Sequence, residues 1–518
     1  MWFSGSILLD SLVLLSLSLS LAKLVLKRRS SYFAFKLLRG PGSNNVLFGR
    51  LREVQGVVDD VAAVFDRWIS EYGYVFKVPT GLGTNRIVIS DPKAVAHVYA
   101  NDSFGYLRPA LSKIFVRTFM GDSMVTADKE DHRRQRRAMA PAFTNGALRE
   151  SMGVFYNTAY KLKGAWDALF ESHDEVTIDV QQWLDSIGIA GFGHDFRSLD
   201  GHESPVTETL DALLEDTSFR VLILLGSFLP QLLNLPFKHA KILRRMKNAF
   251  SDIAKILLEK SRQETDAEKD KSILGLLLKG RSHNTNFKLL QDEVVGQGLF
   301  LFAGYETTAM ELARHPEKQD KLRRELLQFS GNDPTWDQVV TGTACPYLDA
   351  VTHETLRLYP PVEAMQRIAD KDDVVPLSFP MKTSSGEMVD SIFVPKGTMV
   401  TTPFIHMNRS EAFWGPDAKQ FVPERWLEEN PYPSKDFSGY KHIYTFSDGP
   451  RICIGRMFAL AEFKAVLSVL IRNFTFDLPS GPDTPIGIHK VLLPRPKLAN
   501  EAGCVLRMRV KQVTGGES

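Results

Sequence analysis

Ile7 to Leu26 reads ILLDSLVLLSLSLSLAKLVL, and thirteen of its twenty residues are Leu, Ile or Val. At about 1.5 Å per residue, a helix of that length spans roughly 30 Å, the hydrocarbon thickness of a bilayer. Leu, Ile and Val each favour the membrane by about 0.3 to 0.6 kcal/mol, enough to outweigh the serines, and Asp10 and Lys23 lie near the ends, where charge costs least. The alternation from Leu14 to Leu21 also fits a strand. The unbroken length, closed by Lys27, Arg28 and Arg29, favours a single membrane-spanning helix. A cleaved signal peptide is the alternative, but the run lacks a basic start and a small-x-small cleavage site.

Lys23 near the end of the apolar run, and Lys27, Arg28, Arg29, Lys36 and Arg39 after it, place the remaining chain on the cytosolic side by expectation. Gly40-Pro41-Gly42-Ser43 then breaks the chain stiffly. This divides the 518 residues into an anchor (1–29), a basic Pro/Gly hinge (30–45) and a body (46–518). The net charge of +2 has no basic excess for nucleic acid, and no charge run marks a tail. The three cysteines, Cys345, Cys453 and Cys504, are odd in number and widely spaced. That argues against a disulfide framework and for a reducing compartment.

Within the body, VFKVP and RIVIS flank Gly81-Leu82-Gly83 and predict a hairpin between 75 and 90. From about 90 to 375 the pattern is helical, with apolar residues three and four apart in Thr207 to Leu214 and Lys241 to Ser261. Beyond 375, short strand-like runs, prolines and glycines dominate, with one more helix after Cys453. No linker or repeat is evident, so one mainly α domain with a minor β part is expected.

The chemistry centres on Phe446-Ser447-Asp448-Gly449-Pro450-Arg451-Ile452-Cys453-Ile454-Gly455. A cysteine ligates metal as thiolate, which free cysteine rarely is at neutral pH. Gly449 and Gly455 permit tight turns that aim N–H groups at sulfur. The apolar periodicity from Met457 to Leu470 puts Cys453 at a helix N-terminus, where the dipole favours an anion. Arg451 is placed to meet an anionic group. The plain alternative is a buried cysteine in a glycine-rich loop.

The pattern Phe-x-x-Gly-x-Arg-x-Cys-x-Gly resembles the haem-binding loop of the cytochrome P450 superfamily. That resemblance implies the P450 fold behind one N-terminal transmembrane helix. It also implies haem b bound by Phe446, Arg451, Cys453 and Gly455, with Cys453 the axial ligand of the iron, Arg451 on a propionate, and thiolate donation favouring O–O cleavage. Thr352 to Arg357 reads as a helix ended by Pro360-Pro361, with Glu354 and Arg357 on one face. It resembles the family's Glu-x-x-Arg helix, and Phe421-Val422-Pro423-Glu424-Arg425-Trp426 resembles the element supplying a third partner. Glu354, Arg357 and Arg425 are thereby implied to form a buried structural triad.

Phe302-Ala303-Gly304-Tyr305-Glu306-Thr307-Thr308 lies in an apolar run that begins near Val294. Read alone, it holds a capping threonine and a surface acid. It resembles the family's oxygen-side helix, which implies that Glu306 and Thr307 are catalytic and relay protons to dioxygen. His132 and Arg136 stand where the family has Trp-x-x-x-Arg, and imidazole can donate the same hydrogen bond to a propionate. Arg367 is a further propionate candidate. Family position makes Phe115, Phe119, Phe300, Leu301, Val362, Ala364 and Met365 pocket candidates for a greasy substrate, though each also suits plain core.

The resemblance covers roughly residues 40 to 512, with one departure. In relatives the oxygen-side helix runs about two turns further before its His-Pro, whereas here Thr308 is followed almost at once by His315-Pro316. A loss of about eight residues removes roughly 12 Å of helix. Either the next loop absorbs that loss or packing beneath Glu354 and Arg357 is strained, with poor haem retention and a low unfolding midpoint. A gene-model error would leave the same gap.

The expected activity is insertion of one oxygen atom from O2 into a lipophilic small molecule, in fungal secondary metabolism such as terpenoid tailoring. Electrons would come from NADPH through a separate NADPH–cytochrome reductase, with cytochrome b5 as a second donor, because the chain has no flavin or nicotinamide fingerprint. The expected location is the endoplasmic reticulum membrane. The alternatives are a haem-thiolate isomerase or dehydratase that needs no reductase, and an impaired haem-binding protein.

Overall fold

A computed structural model describes residues 35–45, 48–54, 61–81, 84–120, 122–180, 305–329, 331–427, 437–490, 494–501 and 503–513. The apolar run Ile7–Leu26, the expected helices in Thr207–Leu214 and Lys241–Ser261, and Phe300 and Leu301 lie outside these residues. No described helix is long and apolar enough to cross a membrane.

The chain forms two compact units, Met1–Leu107 with Ala364–His406 and Arg108–Glu363 with Met407–Ser518. Each is assembled from separate stretches of sequence. A boundary of this kind leaves no linker to read, which is why the sequence suggested one undivided body.

The first unit is built on a five-stranded sheet in the order Val75–Gly81, Thr84–Ile89, Met399–Thr402, Met365–Ala369, Tyr106–Leu107. The expected hairpin forms: Val75 pairs with Ile89 and Gly81 with Thr84, antiparallel. The Val61–Tyr72 helix buries Val61, Phe65, Trp68 and Ile69, at the spacing of one helix face. That face packs on Phe76, Val78 and Val88, with the Trp68 and Phe76 rings edge to face at 6.2 Å. The Pro92–Ala100 helix starts on Asp91, whose carboxylate accepts from Ala94 N–H at 3.0 Å, a side-chain N-cap followed by proline at the first helical position.

The second unit holds the longer helices, Asn145–Phe170, Pro316–Leu327, Pro346–Leu358 and Arg456–Asn473. The last of these, here the cysteine helix, is buried along nearly its whole length from Phe458 to Ile471. Apolar residues on every side make it a core helix rather than a surface one. Phe458 meets Phe155 edge to face at 4.8 Å. A three-stranded sheet, Glu175–Asp179, Arg507–Gln512 and Phe474–Asp477, closes one side, with Trp166 against Phe474 at 5.1 Å. A separate two-stranded hairpin pairs Ile486–Lys490 with Pro494–Leu498.

Candidate active site

The loop before the cysteine helix is held by its backbone. Cys453 N–H donates to the Phe446 carbonyl at 2.9 Å, and Ile452 N–H to Gly449 at 3.0 Å. Gly449 has φ of +65°, a conformation that favours glycine. Gly455 does not: its φ is −83° and a Cβ there would meet only Phe143, at 3.6 Å. The tight turn expected at Gly455 is therefore not needed for backbone reasons. Gly455 serves as the helix N-cap residue, and its N–H bonds the Cys453 sulfur.

Cys453 is exposed on its outer surface yet surrounded by protein, and burial pushes its thiol pKa up. The Gly455 N–H and the positive charges of Arg136 and Arg456 pull the other way. A thiolate at this position thus has an N–H donor, two guanidinium groups and a helix N-terminus to stabilise it. Arg136, on the Lys129–Met139 helix, is itself desolvated. His132, one turn earlier, is buried at 4% exposure. Arg451 donates from Nη2 to the Ala127 carbonyl at 2.6 Å and to Asp128 Oδ1 at 2.9 Å, tying the cysteine loop to the start of that helix. Asp128 also pairs with Lys113 at 2.5 Å. This donor set suits an anionic cofactor that carries its own metal and takes one soft ligand from the protein.

Arg367, expected on a propionate, is paired inside the first unit. Its Nε and Nη2 meet Asp102 Oδ1 and Oδ2 at 2.9 and 2.7 Å, with both residues buried. Turning the guanidinium elsewhere would strand a buried carboxylate.

Glu354, Arg357 and Arg425 come together in the second unit. Glu354 accepts two parallel bonds from Arg357, both 2.8 Å, plus Arg425 Nε at 3.0 Å, Val422 N–H at 2.9 Å and the Trp426 indole at 2.9 Å. Arg357 also donates to the carbonyls of Asn408, Ala418 and Gln420, and its guanidinium lies 4.9 Å from the Trp414 ring. Glu354 and Arg357 are fully buried. The strain expected beneath the short helix is not seen at this cluster, whose bonds are all made.

The Tyr305–Arg314 helix leads through His315 directly into Pro316–Leu327. Thr308 and Ala309 lie against Phe463, Val466, Leu467 and Leu470 of the cysteine helix, and the Thr308 hydroxyl donates to Thr355 at 3.3 Å. Phe463 to Leu470 sit roughly 10 to 21 Å along the helix axis from Arg456, at about 1.5 Å per residue. Glu306 accepts from Arg495 Nη2 at 2.6 Å. Glu306 is thus held by Arg495, and Thr308 and Ala309 face the middle of the cysteine helix rather than its first turn.

Of the pocket candidates, Phe115 and Phe119 lie on the Ala110–Met120 helix. Val362 is exposed, and Ala364 packs into the first unit's core beside Met365 at the start of a strand. A recess of about 590 Å³ next to the cysteine loop is lined by Lys113, Arg117, Asp128, Glu130 and Asp131 among others, a charged lining. Sequence reading missed Arg456, whose guanidinium also sits 4.2 Å over the Tyr440 ring, and Asp128, Asp417 and Trp426 as partners of the arginines and Glu354. Arg456 was legible, being the basic residue straight after Gly455. The others needed the fold.

The family model for cytochrome P450 matches residues 39–500. Cytochrome P450 monooxygenase claQ of Ampulloclitocybe clavipes is 45% identical over 92% of this chain and 93% of its own length. From the same organism, cytochrome P450 monooxygenase claO is 46% identical over 92% and 93%. Cytochrome P450 monooxygenase 205 of Postia placenta is 31% identical over 91% and 92%. With the family model spanning most of the chain and full-length fungal relatives this similar, the chain belongs to the cytochrome P450 monooxygenases, with their mostly helical fold and its smaller sheet part.

Proposed function

We propose that this protein inserts one oxygen atom from O2 into a lipophilic small molecule of fungal secondary metabolism. Cys453 would bind the iron of haem b, with His132, Arg136 and Arg451 nearest for its propionates. The observation that carries this is the Cys453 thiol beside the Gly455 N–H, Arg136 and Arg456 at the head of a buried helix. When bound, the haem supplies oxygen activation. The protein's part is to hold sulfur as thiolate, to fix the loop through Phe446 and Gly449, and to brace the helix beneath through Glu354, Arg357 and Arg425. Arg451 and Arg367 would first have to share or leave their aspartates. For Glu306 and Thr307 to relay protons, Glu306 would first have to leave Arg495. Electrons would come from NADPH through a reductase, with cytochrome b5 as a second donor. Residues 1–29 would anchor the protein in the endoplasmic reticulum membrane, its body cytosolic.

The test is co-expression with a fungal reductase under isotopically heavy dioxygen, followed by metabolite analysis of membrane and soluble fractions. One heavy oxygen per product, formed only with NADPH and mainly in membranes until residues 1–29 are removed, supports the proposal. An unlabelled product formed without NADPH would favour the isomerase or dehydratase reading.

A further inference from the structure

We infer that Glu306 is a positioning residue. Its carboxylate pins the Ile486–Lys490/Pro494–Leu498 hairpin through Arg495 rather than carrying protons. The pair is short, 2.6 Å, with side chains only 8% and 20% exposed, and it joins residues 189 apart in sequence. Among the described residues the hairpin has two strands and no third, and an isolated two-stranded hairpin is marginal in water. It therefore needs an outside hold. The Tyr305–Arg314 helix supplies two. Glu306 grips Arg495 on the second strand, and Arg314 reaches the Thr484 carbonyl at the base of the first, at 3.5 Å. Eight residues separate the two grips, roughly 12 Å of helix, so they can fix both the hairpin's position and its tilt. A charge-assisted bond at this burial is far stronger than a surface ion pair. The clamp stands whether or not the haem reading holds, since both partners and their distance belong to this chain alone.

The experiment measures amide hydrogen exchange across residues 486–498 in the full chain carrying haem, for Glu306→Gln, Arg495→Gln, Arg495→Lys and the exchanged pair Glu306→Arg with Arg495→Glu. Each Gln variant should speed hairpin exchange roughly tenfold, while Arg495→Lys and the exchanged pair recover most of the protection. Hydrogen peroxide released per NADPH, measured with a reductase, is the second readout. Under the clamp, Glu306→Gln and Arg495→Gln behave alike and the exchanged pair restores coupling. Unchanged hairpin exchange in both Gln variants overturns the inference. So does peroxide release that rises in Glu306→Gln and in the exchanged pair but not in Arg495→Gln, the pattern of a true proton relay. Should Glu306→Gln fail to fold, Arg495→Gln and Arg495→Lys test the same contact from the other side.

Discussion

The Glu354–Arg357–Arg425 cluster and the Glu306–Thr307–Thr308 segment both begin as short motifs on helices of the second unit, yet they fare differently. Glu354 and Arg357 are three residues apart on one helix, so the helix itself makes their contact. Arg425 joins because the segment from Val422 to Trp426 closes on the same carboxylate. The Glu-Thr-Thr segment depends on something a motif does not contain: its height along a neighbouring helix. Its Thr308 and Ala309 lie against the middle of the cysteine helix and its Glu306 pairs with Arg495, and neither partner is announced by its residue types. A motif whose geometry is local can be read from its own residues; one whose geometry is measured against the rest of the fold cannot.

The sharpest way to break this contrast is Arg357→Ala. It would leave Glu354 buried with its main counter-charge gone, a loss of about 3 to 5 kcal/mol and a large part of a domain's stability margin. Thermal unfolding and soluble yield should both collapse. A variant with a near-native midpoint would mean that the cluster is not the brace its five bonds to Glu354 suggest.

A smaller effect is expected from restoring two turns of apolar helix after Thr308. The insertion should release Glu306 from Arg495 and carry Glu306 and Thr307 toward the cysteine end. It should raise haem occupancy and move the unfolding midpoint by several degrees, about 1 to 2 kcal/mol. Equal or lower haem occupancy would show that the short helix is the chain's settled design.

The smallest effect lies at the cluster's rim. Burial alone would raise the Glu424 carboxyl; its own backbone, Lys321, Tyr347 and Lys318 overcome that and hold it at about 2, below the ordinary 4.5. A depressed carboxylate stabilises the fold fully above pH 4.5, and this support is lost as pH falls toward about 2. The side chain is 36% exposed, so screening limits the contribution to about 1 kcal/mol or less. Glu424→Gln should lower neutral stability by up to that amount, leave stability near pH 2 unchanged and so flatten acid unfolding between those pH values; an unaltered acid limb would remove Glu424 from the brace.

Local pattern accounts for what sequence reading found. The hairpin at 75–90, the Pro346–Leu358 helix and the cysteine loop all follow from period, turn residues and caps within a few positions. Long-range pairing accounts for what it missed. Asp102 lies 265 residues from Arg367, and Asp128 323 from Arg451; nothing beside either arginine announces its partner. The two-unit division was hidden for the same reason, since each unit is sewn from distant stretches. The short run from Thr308 to His315-Pro316 was visible in the sequence, but not that Glu306 would pair with Arg495. Of the two expected outcomes, a yielding loop or a strained brace, the brace keeps its bonds.

The most direct test of the account is the reduced carbon monoxide difference spectrum of the full chain and of three single variants. The native protein, Cys345→Ser and Cys504→Ser should all show the Soret band of a thiolate-ligated haem. Cys345 is buried, with its thiol pushed up to about 11 first by desolvation, and Cys504 lies well away in sequence from the Phe446–Gly455 loop. Cys453→Ser alone should lose the band. A thiolate-type band that survives in Cys453→Ser, or that disappears in Cys345→Ser or Cys504→Ser while Cys453 is intact, would contradict it.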